Sequence, residues 1–356
     1  MIKNSGFAIP RSARRAPARA AMVCLAASLL AAGGCARRQM PAKRVERPQP
    51  AAPRHYPPEE LGWQLVEADG STHVRWKESI APAAATALPL MPPLGPYSLT
   101  PRVAAILNSR LVVPVTFDTG SPVNVFSSEV AGEAGFKFAD RGRMATVFKG
   151  VAGSKEMDYA LVDVVRMSGL EIKGMLTAVH AARKGAKMFE IDYLIGMTTI
   201  AKFSYVTFDF PSRSMVVSVG ERFPGAEGPD VVQVPFQILG EQIVVEIQVN
   251  KEFAIEAFVD TGSDAPLLIG QKMAAELELA DEIAAGKQVL LGGLGGTAKA
   301  VSCRVERLDI GGKMFPQAEV VVVENDFPAG LGCGFLGQFK ATFDFSRSIL
   351  WLEKAP

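Results

Sequence analysis

From about Pro101 onward the chain reads as short β-branched runs broken by Gly, Asn and Ser, with apolar and polar positions alternating at the two-residue period of half-buried strands. The runs "AAILNSRLVVPVTFD" and "VEIQVNKEFAIEAFVD" each predict a hairpin, with Asn108 and Asn250 at the turns and a second strand that ends in Asp-Thr-Gly-Ser, at 118–121 and 260–263. The two motifs are 142 residues apart, as are Asn108 and Asn250, and Gly150 and Gly292. "VTFDFPSRSMVV" from Val206 is matched by "ATFDFSRSILWL" from Ala341, and each motif precedes a short helical pattern, "SSEVAGEAG" and "QKMAAELEL". A whole unit is therefore duplicated. The prediction is an all-β body of two lobes, 98–222 and 230–355, joined at "FPGAEGPD".

Ahead of this body the pattern fails. Residues 36–97 are rich in Pro and Ala, a composition that resists helix and strand alike, and they read as a tether. The exception is "GWQLVEADGSTHVRW", where Asp69-Gly70 turn chemistry between two aromatic-bearing runs predicts a hairpin. Two roles stand open for this segment: a spacer, or a basic prosegment that covers an acidic cleft. Residues 1–35 carry Arg11, Arg14, Arg15 and Arg19, then the apolar "AAMVCLAASLLAA", then Gly33-Gly34-Cys35. This is the layout of an export signal, and its apolar part is too short to span a bilayer. "AAGGC" resembles the lipobox of bacterial lipoproteins, with Ala32 in place of the usual Leu. That resemblance implies lipidation at Cys35 and attachment to the periplasmic side of the cell envelope, more readily the outer than the inner membrane; simple secretory cleavage is the alternative.

The formal net charge of +1 changes meaning once this segment is set aside. Residues 1–60 hold 11 Lys/Arg against 3 Asp/Glu, so the folded part is mildly acidic and carries no basic stripe of the kind that binds nucleic acid. Apart from Cys24 and Cys35, the cysteines are Cys303 and Cys333. In an oxidising compartment they could close a loop of about 30 residues and add about 3 kcal/mol; two buried free thiols are the equal alternative. The three histidines, His55, His73 and His180, lack zinc-ligand spacing, and neither a nucleophile elbow nor a phosphate-binding loop ending in Gly-Lys-Ser/Thr occurs. No cofactor or metal is expected.

What remains is the repeated carboxylate. An Asp at a strand tip followed by Thr-Gly can turn sharply, because Gly accepts backbone angles that other residues avoid. Brought together by a pseudo-twofold axis, Asp118 and Asp260 would share one proton, since two close carboxylates cannot both ionise cheaply. The charged member takes a proton from water while the protonated one donates to the carbonyl that water attacks. Gly120 and Gly262 permit the turns, the Thr119 and Thr261 hydroxyls can lock the loops together, and Ser121 and Ser263 can donate to the carboxylates.

These residues resemble the aspartic peptidases, the clan that contains pepsins and retropepsins. The clan's apolar-apolar-Gly triplet is matched by Leu194-Ile195-Gly196 and Phe335-Leu336-Gly337, and "LLGGLGGTAKA" resembles the glycine-rich flap of retropepsins. The resemblance implies two pepsin/retropepsin-like β-barrel lobes with a cleft between them, an aspartic endopeptidase working on peptide or protein substrates, and a monomer with its dyad inside one chain. The flap candidates are Gly150 and Gly153 in the first lobe and Gly292, Gly293, Gly295 and Gly296 in the second. One departure is the lack of a Tyr-Gly pair in the first flap, where "FKGVAGS" stands and Tyr159 fits poorly. The rival function is a pepsin-like envelope lipoprotein that binds a peptide or glycan without cutting it.

Overall fold

The computed structural model describes residues 54–68, 71–95, 98–140, 146–150, 153–181, 193–250, 253–293 and 296–354, with two short strands at 6–9 and 21–22. Cys35 and, apart from those two strands, the signal-like segment lie outside the described residues, as do Asp69, Gly70 and Gly295. The body is all-β, with two lobes built alike.

Each lobe contains the hairpin that the alternation predicts. In the first lobe Arg102–Leu107 pairs antiparallel with Leu111–Phe117, and Val103, Ala105 and Leu107 are buried while Ile106 between them is 41% exposed. In the second, Gln242–Val249 pairs with Phe253–Asp260, and Ile243, Val245, Ile247 and Val249 go inward. Asn108 and Asn250 take left-handed backbone angles, φ 47° and 51°. Asn tolerates that region better than most residues, and here each side chain accepts an amide from a neighbouring strand, Val164 N–H at 3.0 Å and Arg307 N–H at 3.3 Å. The predicted helices follow the motifs. Ser128–Ala134 is capped by Ser127 Oγ and ended by Gly135 at φ 70°, and Gln271–Glu276 occupies the same place in the second lobe.

The lobes share one antiparallel run of strands in the order Val231–Leu239, Ile349–Lys354, Phe339–Asp344, Tyr205–Asp209, Ser214–Ser218, Thr86–Pro89. Its centre is the pairing of Thr207 with Thr342, whose hydroxyls meet at 2.9 Å, so the duplicated "TF" strands meet each other across the pseudo-twofold axis. Phe208 and Phe343 pack edge to face beside it. One buried apolar cluster runs continuously from Val115 and Phe117 through these rings to Val259 and Leu331.

The tether reading does not hold for residues 54–95. Gln64–Ala68 and Ser71–Arg75 form the expected hairpin, and Trp63, Val74 and Trp76 are buried in a second cluster with Met157 and Tyr159. His55–Tyr56 pairs with Phe138–Ala139, and Ser79–Ala81 pairs with Glu171–Lys173. Thr86–Pro89 is the edge strand of the shared run, the counterpart of Val231–Pro235, so the first lobe starts ahead of residue 98. Proline hid this strand. It is tolerated at an edge or where a strand changes partners, and Pro235 stands where its strand leaves Ile349–Lys354 for Gln242–Val249. The disulfide is absent too: Cys303 and Cys333 are buried and free. Cys303 faces Val320 across a strand pair, whereas Cys333 opens a short helix and donates to Thr261 O at 3.2 Å.

Candidate active site

Asp118 follows directly on strand Leu111–Phe117 and is held by its own amide, which donates to Ile195 O at 2.9 Å. The chain then turns back, with Ser121 N–H reaching Asp118 O at 3.3 Å. Asp260 ends Phe253–Asp260 and makes the same turn, with Ser263 N–H on Asp260 O at 3.3 Å. Within each turn the backbone solvates one carboxyl oxygen. Asp118 Oδ1 accepts Gly120 N–H at 2.9 Å and Ser121 N–H at 3.0 Å, and Asp260 Oδ1 accepts Gly262 N–H at 2.9 Å.

The two carboxyls meet over each other's glycine. A Cβ on Gly120 would lie 2.5 Å from Asp260 Cγ, and one on Gly262 would overlap the Asp118 carboxyl in the same way. Any side chain at either position would push the dyad apart, so the glycines serve close approach as well as the turn. Asp118 is 0% and Asp260 1% exposed.

The threonines join the loops more tightly than mutual hydroxyl contact would. Thr119 Oγ1 donates to Val259 O at 2.7 Å and accepts Thr261 N–H at 3.1 Å; Thr261 Oγ1 donates to Phe117 O at 2.6 Å and accepts Thr119 N–H at 3.0 Å. All four bonds are buried and all cross between lobes. Thr119→Val keeps the shape but removes a donor and an acceptor, leaving a buried amide and a buried carbonyl unpaired. The expected cost is about 3 kcal/mol, read from urea unfolding, with Thr261→Val costing about the same.

The Ser121 hydroxyl does otherwise than expected, and Ser263 has an acceptor role. Ser121 Oγ donates to Val123 O at 2.7 Å, and Ser263 Oγ accepts Ala265 N–H at 3.2 Å. They shape the loops after the motifs, and the Oδ1 atoms of both aspartates take backbone amides.

The triplet beneath the loop also needs correction in the second lobe. Tyr193–Ile195 and Gly196 lie under Asp118 as expected, with Met197 N–H donating to Ser121 O at 2.8 Å. The equivalent amide is that of Cys333, which donates to Ser263 O at 2.7 Å, so the counterpart of Leu194-Ile195-Gly196 is Gly330-Leu331-Gly332. A Cβ on Gly196 would overlap Val123 O, and one on Gly332 would overlap Ala265 O. Phe335-Leu336-Gly337 belongs to the helix that follows, Cys333–Leu336 and its C-terminal cap.

The flap candidates fall at hairpin tips. Gly150 faces Gly153 where Thr146–Gly150 turns into Gly153–Met167, and Gly293 faces Gly296 where Lys287–Gly293 turns into Gly296–Arg304. Gly153 and Gly296 share a left-handed φ, 140° and 135°, so the true partner of Gly150 is Gly293, one residue beyond Gly292. Tyr159 is fully buried, away from the tip.

Burial and the neighbouring Asp260 carboxylate hold the Asp118 carboxyl well above the ordinary carboxylate range, against the opposing pull of the Gly120 and Ser121 amides. Burial and mutual repulsion thus favour keeping one proton on the pair. Two further acids near the loops escaped the motif-based reading. Asp264, the residue after the second motif, is pushed up to about 6 by burial and accepts Leu99 N–H across the lobes at 2.7 Å. Glu241 is pushed up to about 7 by burial, and its neighbour Gln242 donates from Nε2 to Gly120 O at 3.4 Å. Their signal in the sequence was position alone, one beside the motif and the other in a Gly-Glu turn. Among the described residues, no cluster of His, Cys, Asp and Glu has a metal-binding arrangement.

Residues 245–338, about a quarter of the chain, match the family described as "gag-polyprotein putative aspartyl protease". The matched segment contains Asp260, the second flap hairpin and Gly332. No curated protein sequence matches the chain. Among solved structures, a retropepsin-like aspartic protease from Rickettsia conorii is 22% identical, covering 34% of this chain and 90% of its own, with a TM-score of 0.29. Basic 7S globulin from soybean is 11% identical, covering 77% of this chain and 96% of its own, with a TM-score of 0.47. With its second motif inside the family match and an equivalent one in the other lobe, the chain is related to the aspartic peptidase clan.

Proposed function

We propose that the protein is an aspartic endopeptidase in which Asp118 and Asp260 form the catalytic dyad within one chain. The observation that carries this is the pair of carboxyls packed over each other's glycine, an arrangement whose burial and mutual repulsion raise the Asp118 pKa above the ordinary carboxylate range. In that state one Asp is the base and the other the acid. The base removes a proton from water as its oxygen bonds to the peptide carbon, and the acid protonates the carbonyl oxygen. Collapse of the tetrahedral diol breaks the C–N bond: the Asp that took water's proton gives it to the leaving amine, and the other Asp takes one back from a diol hydroxyl, so the dyad again holds one proton. Because the Ser121 hydroxyl donates to Val123 O instead of a carboxylate, the lowering pull on Asp118 comes from the Gly120 and Ser121 amides, and burial beside Asp260 outweighs it. The alkaline limb of the pH profile, where the shared proton is lost, is therefore expected to lie toward neutrality. The test is incubation of the protein with a denatured protein mixture from pH 3 to 7, with and without a statine-type transition-state mimic. Statine-sensitive cleavage with a bell-shaped pH profile is expected. Tight statine binding without cleavage would make it a binding module instead.

The same reading has Cys35 lipidated as the first mature residue, holding the enzyme at the periplasmic side of the envelope. Mass spectrometry of the mature N-terminus tests it. A free amine on Ala36, with no later trimming, would count against it.

A further inference from the structure

Beneath the Asp118 loop the two lobes solve one problem in different ways. In the second lobe Gly332 N–H donates to a backbone carbonyl, Pro266 O, at 3.0 Å. In the first lobe the equivalent Gly196 N–H donates at 2.9 Å to a side chain, Asn124 Oδ1. Asn124 is fully buried, and its amide is fixed in turn, donating to Leu176 O at 2.7 Å and to Thr199 Oγ1 at 2.9 Å. The Thr199 hydroxyl donates onward to Glu78 Oε1 at 2.9 Å.

Glu78 comes from the Pro/Ala-rich segment ahead of the first lobe, and its side chain is 0% exposed. Its other oxygen accepts Trp76 Nε1–H at 3.2 Å and pairs with Lys202 Nζ at 3.0 Å; the ammonium in turn lies 4.4 Å from the centre of the Trp76 ring. The backbone before Glu78 is packed as closely. Gly174 has φ 72°, and a Cβ there would lie 2.5 Å from Lys77 O. A buried carboxylate is expensive unless it is fully satisfied, and this one is satisfied by three groups that converge on it, Thr199, Trp76 and Lys202.

We propose that Glu78 is a positioning residue for Asp118, and that residues 63–81 are a working part of the first lobe instead of a spacer or removable prosegment. The route is Glu78 to Thr199, Thr199 to Asn124, and Asn124 to Gly196, whose neighbours Ile195 and Met197 clasp the Asp118 loop from both ends. The second lobe needs no such support, because its carbonyl does the work of Asn124. The inference rests on the peptidase reading for its catalytic consequence but not for its structural one.

The test compares two double variants that both remove the buried charges. Glu78→Gln/Lys202→Met keeps an acceptor for the Thr199 hydroxyl, and Glu78→Met/Lys202→Met does not. Relative to the first, the second is expected to speed amide exchange about tenfold at 118–121 and 195–197 while leaving 260–263 unchanged. Its kcat should fall about tenfold with KM held, since the groups that bind peptide are untouched. Thr199→Val, which leaves the Glu78–Lys202 pair intact, is expected to reproduce both effects. Equal exchange at 118–121 in the two double variants, or a rise shared by 260–263, would overturn the proposal, as would a wild-type pattern in Thr199→Val. If the exchange differences stand and the wild-type protein cleaves nothing, the positioning role stands and the peptidase reading falls.

Discussion

Asp118→Asn and Asp260→Asn are each expected to lose nearly all turnover, by about a thousandfold or more, with the double variant scarcely worse. A dyad needs one charged and one protonated member. Asn cannot take a proton from water, and it cannot pass a shared proton to the substrate and recover it. The remaining carboxyl then performs one role, and removing it as well costs little more, the non-additivity of groups that act as a unit. Stability should move the other way. The Asp118 carboxyl has a folded pKa above its unfolded value, so its favourable contribution is fully present below the unfolded pKa and is lost as pH rises through the folded one. Asp118→Asn removes that loss. The variant should be more stable than wild type at neutral pH, with the difference closing toward pH 3, in urea unfolding followed at both pH values. An inactive variant that is also less stable at pH 7 would mean that the Asp118 charge is better paired than its burial implies.

Gly332→Ala is expected to cost about 3 kcal/mol or more, and Gly196→Ala a similar amount. The added carbon would overlap Ala265 O in one case and Val123 O in the other, with Ser263 O and Ser121 O close behind at 2.8 and 2.7 Å. These are backbone atoms within the loops that carry the dyad. A side chain could swing aside, but a carbonyl cannot move without dragging the motif, so the overpacking is relieved only by displacing Asp260 or Asp118. Denaturant unfolding reads the stability loss, and turnover should fall with it. Gly337→Ala provides the contrast that the register correction demands. At that position the added carbon meets Cys333 O in its own turn and the movable Leu99 side chain, with no atom of the motif loop among its near contacts. If the triplet were Phe335-Leu336-Gly337, the order of damage would be reversed.

That reversal shows where the sequence could be read and where it could not. The lobes, the hairpins that lead into each motif, the turns at Asn108 and Asn250 and the helices after each motif were legible, because each rests on local chemistry: alternation, a left-handed turn residue, an apolar stripe at helical spacing. The meeting of the two carboxyls was legible because a carboxylate repeated at a strand tip has few structural uses. The triplet was misplaced in the second lobe because "LGCGFLGQ" contains two Leu-Gly pairs, and only the amide of Cys333 on Ser263 O tells which lies beneath the loop. Ser121 was given a carboxylate partner by proximity alone. In the fold its hydroxyl turns to Val123 O, and the backbone amides, which no pattern advertises, take its place. The segment from 54 to 95 failed for another reason. Its strands are short and broken by proline, and what orders them is burial against partners far along the chain, as with Trp63 and Trp76 against Tyr159.

The central claim is that both aspartates of one chain form one dyad. Mixing equal amounts of Asp118→Asn and Asp260→Asn, alongside a dilution series of the wild-type protein, tests it most directly. The mixture should stay as inactive as either variant, and wild-type rate should remain proportional to concentration down to high dilution. Activity recovered on mixing, or a specific activity that falls on dilution, would show a dyad assembled between chains and contradict the account.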